Sequence, residues 1–120
     1  MKNVLIIEDD KLISSLVRFR LNKEGYNVTT VDDGLTGFSA IEQGIHDLII
    51  TDVMMPHKDG IEILNYSKKI NPKIPVIVLS SLGEEEGTVI KAFELGAADF
   101  IPKPFNPNEL SVRVKRLMRD

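Results

Sequence analysis

The 120-residue sequence contains no cysteine. That removes disulfide frameworks and thiolate metal sites, and it is compatible with a reducing cytoplasm. No apolar run approaches the ~18 residues a membrane span needs. The amino terminus passes from Met1-Lys2-Asn3 directly into Val4-Leu5-Ile6-Ile7 and then into acids, without the longer apolar stretch and small-residue cleavage site of a secretory signal. A dominant charge is also lacking: Lys and Arg number 15 against 18 Asp and Glu, net −3. Such a balance gives no electrostatic reason for this domain to bind nucleic acid. Neither glycine-rich phosphate cradle of nucleotide-binding folds occurs, and Gly83 and Gly87 do not replace one. There is no linker, internal repeat or low-complexity segment.

What remains is an ordinary globular composition, 42% hydrophobic, with length for one domain spanning residues 1–120. Short runs rich in Val and Ile alternate with helix-like segments: Val4 to Ile7, Val28 to Val31, Leu48 to Thr51, Val76 to Leu79, and Phe100-Ile101. Such runs suit strands covered on both faces. Between them the period changes. Leu12, Leu16 and Phe19, then Val89, Ala92, Phe93 and Gly96, then Leu110, Val114 and Leu117 fall at helical spacing, each predicting one inward stripe. Asp10 is placed to cap the first helix, and Asn106-Pro107-Asn108-Glu109 supplies a cap, a first-turn proline and an acid at N3. Gly25, Gly44 and Gly96 stand where three helices should stop. Strict alternation predicts a parallel sheet with helices on both faces, and ligands of such sheets bind at the carboxyl ends of the strands.

That edge collects the chemistry. The first strand ends in Glu8-Asp9-Asp10, the third in Asp52, the fourth in Ser80-Ser81 and the fifth in Pro102-Lys103-Pro104. If the first and third strands are neighbours, Glu8, Asp9 and Asp52 form an acidic pocket with Lys103 as the nearby cation. Carboxylates without thiols suit a hard, oxygen-seeking ion such as Mg²⁺, and a carboxylate can itself attack phosphorus. Taken alone, Glu8, Asp9 and Asp10 are also what a helix dipole favours at its amino end; Ser80 and Lys103 at the other strand ends are what that explanation leaves out.

The segments IIEDD, IITDVMMPHKDG, VIVLSS and ADFIPKPF, in this order and spacing, closely resemble the receiver domain of bacterial two-component response regulators across essentially the whole chain. The resemblance implies a flavodoxin-like (βα)5 three-layer sandwich with a five-stranded parallel sheet of order 2-1-3-4-5. It implies that Asp52 accepts a phosphoryl group from a sensor histidine kinase, in a cytoplasmic Mg²⁺-dependent reaction. Asp9 and Asp52 would hold the metal, with Glu8 and the Met54 backbone carbonyl. Ser80 would be the switch hydroxyl, Phe100 the aromatic that moves with it, and Lys103 the phosphate contact, with a cis bond before Pro104. A signalling phosphoacceptor is implied, with self-phosphorylation and slow self-dephosphorylation only, rather than a turnover enzyme. The acids can be registered as Glu8-Asp9 or as Asp9-Asp10; the first matches the family's spacing to Asp52 and leaves Asp10 free to cap.

Other classes fit less well. Hydrolases of the haloacid-dehalogenase type carry a second Asp two residues after the nucleophile, where this chain has Met54. Met54 and Met55 read as packing, and His46 and His57 as loop residues without ligand spacing. Glu84-Glu85-Glu86 reads as a solvated first helical turn, and Lys115, Arg116 and Arg119 as an ordinary last turn. Glu94, Asp99, Glu109, Arg113 and Lys115 give the fourth helix, fifth strand and fifth helix both signs of charge. That pattern is similar to receivers attached to winged-helix DNA-binding domains, and it implies a phosphorylation-dependent homodimer controlling transcription.

Overall fold

The computed structural model describes residues 2–53, 58–80 and 86–119. Among them are five strands and five helices in strict alternation: β1 (Asn3–Ile7), α1 (Lys11–Lys23), β2 (Asn27–Val31), α2 (Gly34–Glu42), β3 (Leu48–Asp52), α3 (Gly60–Ile70), β4 (Val76–Ser80), α4 (Glu86–Glu94), β5 (Asp99–Pro102) and α5 (Pro107–Met118). All pairings are parallel and the order is β2-β1-β3-β4-β5. The fold is flavodoxin-like, in the predicted strand order. No helix among the described residues is long and apolar enough to cross a membrane.

Alternation along each strand divides the core in two. Val4, Ile6, Leu48, Ile50, Ile77, Leu79 and Ile101 meet Val17 and Leu21 of α1 and Leu110 and Val114 of α5. Leu5, Ile7, Ile49, Val76 and Val78 meet α2, α3 and α4 through Ala40, Ile41, Ile63, Leu64 and Ala92. Successive side chains point to opposite faces, so every central residue is consumed by one layer or the other. The central strands β1, β3 and β4 are therefore apolar except at their ends, where Asn3, Thr51, Asp52 and Ser80 stand. β2 is not: it lies at the sheet edge with Asn27 and Thr29 exposed, so the expectation that it is covered on both faces does not hold.

The helix stripes are borne out in part. Leu110 and Val114 of α5 are buried. In α1, Leu12, Leu16 and Phe19 are 69%, 51% and 69% exposed, while Val17 and Leu21 face the sheet. In α4, Ala92 is buried but Phe93 is about half exposed. The punctuation holds: the Asp10 side chain accepts from the Leu12 and Ile13 amides, Asn106 accepts from the Asn108 amide, and Gly25, Gly44 and Gly96 all have positive φ, the conformation glycine adopts at a helix stop. Glu109 does not complete a capping box; it pairs instead with Arg113 at 3.0 Å. The box is found on α3, where Asp59 and Glu62 satisfy each other's amides.

Candidate functional site

Strand register carries the polar groups to one edge. Ile7 pairs with Thr51, Asp52 with Leu79, and Ser80 with Pro102, so β1, β3, β4 and β5 end at nearly the same height. Glu8 follows β1 directly and is 1% exposed; Asp52 is 4% and Ser80 3% exposed. Asp9, one residue further out, is exposed. The β3 end is fixed from both sides. The Val53 amide donates to the Leu79 carbonyl at 2.9 Å and the Gly60 amide to the Val53 carbonyl at 2.8 Å. A Cβ at Gly60 would run into the Asp52 carbonyl and lie 2.8 Å from Val53 Cα, so α3 can start this close to Asp52 only on a glycine.

Lys103 joins the ends of the sheet. Its Nζ lies 2.7 Å from Glu8 Oε1 and 2.9 Å from Asp52 Oδ2, spanning from the β5 edge past β4 and β3 to β1. The bond before Pro104 is cis, as expected from the resemblance. Burial alone would lower the Lys103 ammonium, but hydrogen bonds and charge from Glu8 and Asp52 outweigh it and hold the ammonium above its ordinary value. The Glu8 carboxyl goes the other way. Burial pushes it up to about 7, with the Asp52 charge adding to the rise, against the pull of Lys103 and the Asp10 amide.

Carboxylate oxygens of Glu8, Asp9 and Asp52 all lie within 4.8 Å of one another. Asp52 Oδ1 is buried with no hydrogen-bond partner among the described residues. A buried carboxylate oxygen left without a donor is costly, and three acids this close repel one another when ionised. Both features fit a hard divalent cation, which binds through oxygen alone. Glu8 also answers the question of register: its Oε2 accepts from the Asp10 amide at 3.1 Å, and Asp10 is occupied as the α1 cap, so the acidic pair facing Asp52 is Glu8-Asp9.

The family is now open to comparison. The sequence profile described as the response regulator receiver domain matches residues 4–115. The chain belongs to the response regulator receiver domain family. It is 36% identical over 118 residues to the alkaline phosphatase synthesis transcriptional regulatory protein PhoP of Bacillus subtilis, covering 98% of this chain and 49% of that protein. It is 39% identical over 119 residues to the transcriptional regulatory protein CpxR of Escherichia coli, covering 99% and 50%. The chain thus spans about half the length of these curated relatives. Among solved structures, a CheY-like receiver domain from Methanospirillum hungatei superposes with a TM-score of 0.92 at 28% identity, covering 97% of this chain and 92% of that one. The Francisella response regulator 1452 receiver domain gives 0.88 at 34% identity, covering 98% and 96%.

The remaining expected site residues are placed unevenly. Ser80 lies at the β4 end, one residue beyond the Asp52 partner Leu79. Phe100 is partly buried in β5, its ring 6.3 Å from that of Phe93 and tilted by 42°. The Met54 carbonyl, Met55, His57, Ser81, Glu84 and Glu85 lie outside the described residues. Asp99 is 7% exposed and both its oxygens are bound by Arg113 at 2.8 and 2.7 Å, with Arg116 at 3.5 Å. Lys115 does not join that group: it reaches the α1 cap residue Glu24 at 3.3 Å, because α5 turns this side toward α1. His46 is a loop residue as expected, yet only 7% exposed. Sequence reasoning missed Gly60; the signal was the Asp-Gly pair, which occurs at Asp33-Gly34 and again at Asp59-Gly60, capping a helix each time.

Proposed function

We propose that this chain is a cytoplasmic phosphorylation switch in which Asp52 takes a phosphoryl group from the phosphohistidine of a sensor histidine kinase. The observation that carries this reading is the pairing of Asp52 with Lys103 at 2.9 Å on one oxygen while the other is buried without a donor. One carboxylate oxygen bonds to phosphorus as the bond from phosphorus to the donor imidazole nitrogen breaks, and that nitrogen leaves with the electron pair. The aspartyl phosphate that results exchanges one carboxylate charge for phosphoryl oxygens that need donors.

Mg²⁺ is the cation this site would take, held by Glu8, Asp9 and Asp52 with the Met54 carbonyl; when bound it would neutralise the acids and draw charge from the phosphoryl oxygens. Lys103 then follows the charge from the Asp52 carboxylate to a phosphoryl oxygen, as a mobile point charge. Ser80 supplies a hydroxyl donor from the neighbouring strand end. Its movement opens room for Phe100, and the altered face of α4, β5 and α5 pairs with a second copy to control transcription. The chain acts on itself and does not turn over small substrates.

The test is intact mass after incubation with acetyl phosphate and Mg²⁺. Wild type should gain one phosphoryl group and Asp52→Asn none; equal labelling of both would remove Asp52 from the reaction. Continuous phosphate release far beyond one equivalent, at enzyme-like rates, would favour a hydrolase instead.

A further inference from the structure

The peptide that joins Asp52 to Val53 is held by three neighbours. Thr51 is fully buried, and its Oγ1 donates to the Asp52 carbonyl at 3.1 Å. On the β4 side the Val53 amide donates to the Leu79 carbonyl at 2.9 Å. From α3 the Gly60 amide donates to the Val53 carbonyl at 2.8 Å. A Cβ on Gly60 would run into the Asp52 carbonyl oxygen and lie 2.8 Å from Val53 Cα and 3.0 Å from the Asp52 carbonyl carbon. All three obstacles are backbone, which cannot swing aside as the end of a side chain does. The helix cannot back away cheaply either. Ile63 and Leu64, one turn further along, are fully buried in the core layer under α3. The Asp59–Glu62 capping box closes the first turn, and Tyr66 stacks on Phe38 of α2 at 4.2 Å.

We propose that Gly60 and Thr51 are positioning residues for the phosphoryl acceptor; this rests on the reading of Asp52 as the phosphoacceptor. They fix the Asp52–Val53 peptide, and with it the direction in which the Asp52 carboxylate leaves β3. Only Cα and Cβ separate that peptide carbonyl from the carboxylate, so a turn of the peptide passes directly to Oδ2, 2.9 Å from Lys103 Nζ, and to Oδ1. A methyl group at position 60 displaces this peptide, which stands at the end of the strand, sooner than a helix whose core side chains would have to leave their sites. Neither residue meets the phosphodonor. Gly60 has no side chain, and the Thr51 hydroxyl is spent on a carbonyl.

Gly37 is the control. A Cβ there would lie 2.8 Å from Ile7 Cδ1 and 3.2 Å from Ile63 Cδ1, a clash with core side chains that leaves the Asp52 peptide untouched. The experiment follows intact mass against time with acetyl phosphate over a range of concentrations, at saturating Mg²⁺. In this reaction an Asp52 oxygen bonds to phosphorus as the bond to acetate breaks, and acetate leaves with the electron pair. Gly60→Ala should slow the rate at saturating donor by roughly 100-fold, the loss that a misplacement of about 1 Å can cause. The donor concentration at half-maximal rate should stay at the wild-type value. Thr51→Val keeps the shape and removes one neutral hydrogen bond, so it should slow the same step by on the order of 3-fold. Gly37→Ala should lower the melting temperature and leave the rate at saturating donor unchanged.

A Gly60→Ala chain that is phosphorylated as fast as wild type would overturn the proposal while leaving the Asp52 reading intact. So would a loss that appears only as a raised half-saturating donor concentration, or one that Gly37→Ala reproduces. Should Gly60→Ala not fold, Thr51→Val decides in its place, and a wild-type rate there would overturn the proposal. A wild-type chain that gains no phosphoryl group at Asp52 would overturn both readings.

Discussion

Glu8 is the residue whose environment departs furthest from what its identity alone suggests. It is buried beside Asp52 and Lys103, and its carboxyl is raised from 4.5 to about 7, foremost by burial. Because the folded chain holds this proton more tightly than the unfolded chain, the sign is fixed. The contribution to stability is complete below the unfolded value near 4.5 and is lost as pH rises through about 7. Glu8→Gln removes the titration and should therefore gain on wild type across that window, by on the order of 1–3 kcal/mol at its upper end in the absence of metal. Urea unfolding on both sides of the window measures this, and a difference independent of pH would contradict it. A divalent cation held at this cluster, as proposed, would compete with the same proton, so Mg²⁺ affinity of the wild type should fall as pH drops below about 7, with proton release on binding. Among these residues the sequence was a good guide to position. Glu8, Asp52, Ser80 and Lys103 each end a strand or follow one, and parallel strands end on one edge. It was a poor guide to contact, because the reach of Lys103 from β5 to Glu8 depends on side-chain packing across the whole sheet.

Elements were legible where one physical cause acted alone. Strand and helix follow from the change of period, and helix ends from Asp, Asn and Gly at fixed places. The facing of α1 was not, because this helix has two apolar stripes offset by one residue. Leu12, Leu16 and Phe19 make one; Ile13, Val17 and Leu21 make the other, and the sheet takes the second. Periodicity reports that a stripe exists and carries no information on which of two is covered. Glu24 and Ser111 help settle the matter: Ser111 Oγ donates to both Glu24 oxygens at 2.6 and 2.7 Å, tying the end of α1 to α5. The consequence is measurable. Leu21→Ala should cost about 2–5 kcal/mol by leaving a cavity, whereas Leu16→Ala should stay within about 0.5 kcal/mol. Equal losses in chemical denaturation would mean that α1 is turned the other way. β2 teaches the same lesson for strands, since Val28 and Val31 suggest a central strand while Asn27 and Thr29 mark the open edge that it occupies.

At the scale of the whole molecule, the proposed switch requires that phosphorylation at one edge be read on a face several residues away. β5 spans that distance: Lys103 at its end touches Asp52, Phe100 packs beside Phe93 of α4, and Asp99 at its start is bound by Arg113 of α5. The Asp99 carboxylate also accepts from the Phe100 amide at 2.9 Å, so a shift of Phe100 acts on the same group that holds Arg113. The charges of this face are thus largely spent inside the chain, with Arg113 shared between Asp99 and Glu109. Of these, the Arg113–Glu109 pair is the exposed one, and such pairs are worth about 0–1 kcal/mol each, so exchanging it between copies would give register more than affinity. In the proposed dimer, affinity would have to come from the apolar groups nearby, of which Ile90, Phe93 and Val112 are 51%, 49% and 67% exposed. Sedimentation should find a monomer without phosphorylation and a weak dimer with beryllofluoride, a phosphoryl mimic, at moderate salt. Phe93→Asp should abolish that dimer while leaving phosphorylation at Asp52 and the melting temperature nearly unchanged. Ser80→Ala should also take the phosphoryl group yet remain monomeric, since it lacks the hydroxyl that draws β4 toward the new charge. A phosphorylated Ser80→Ala chain that dimerises as wild type does would cut the proposed route between Asp52 and this face.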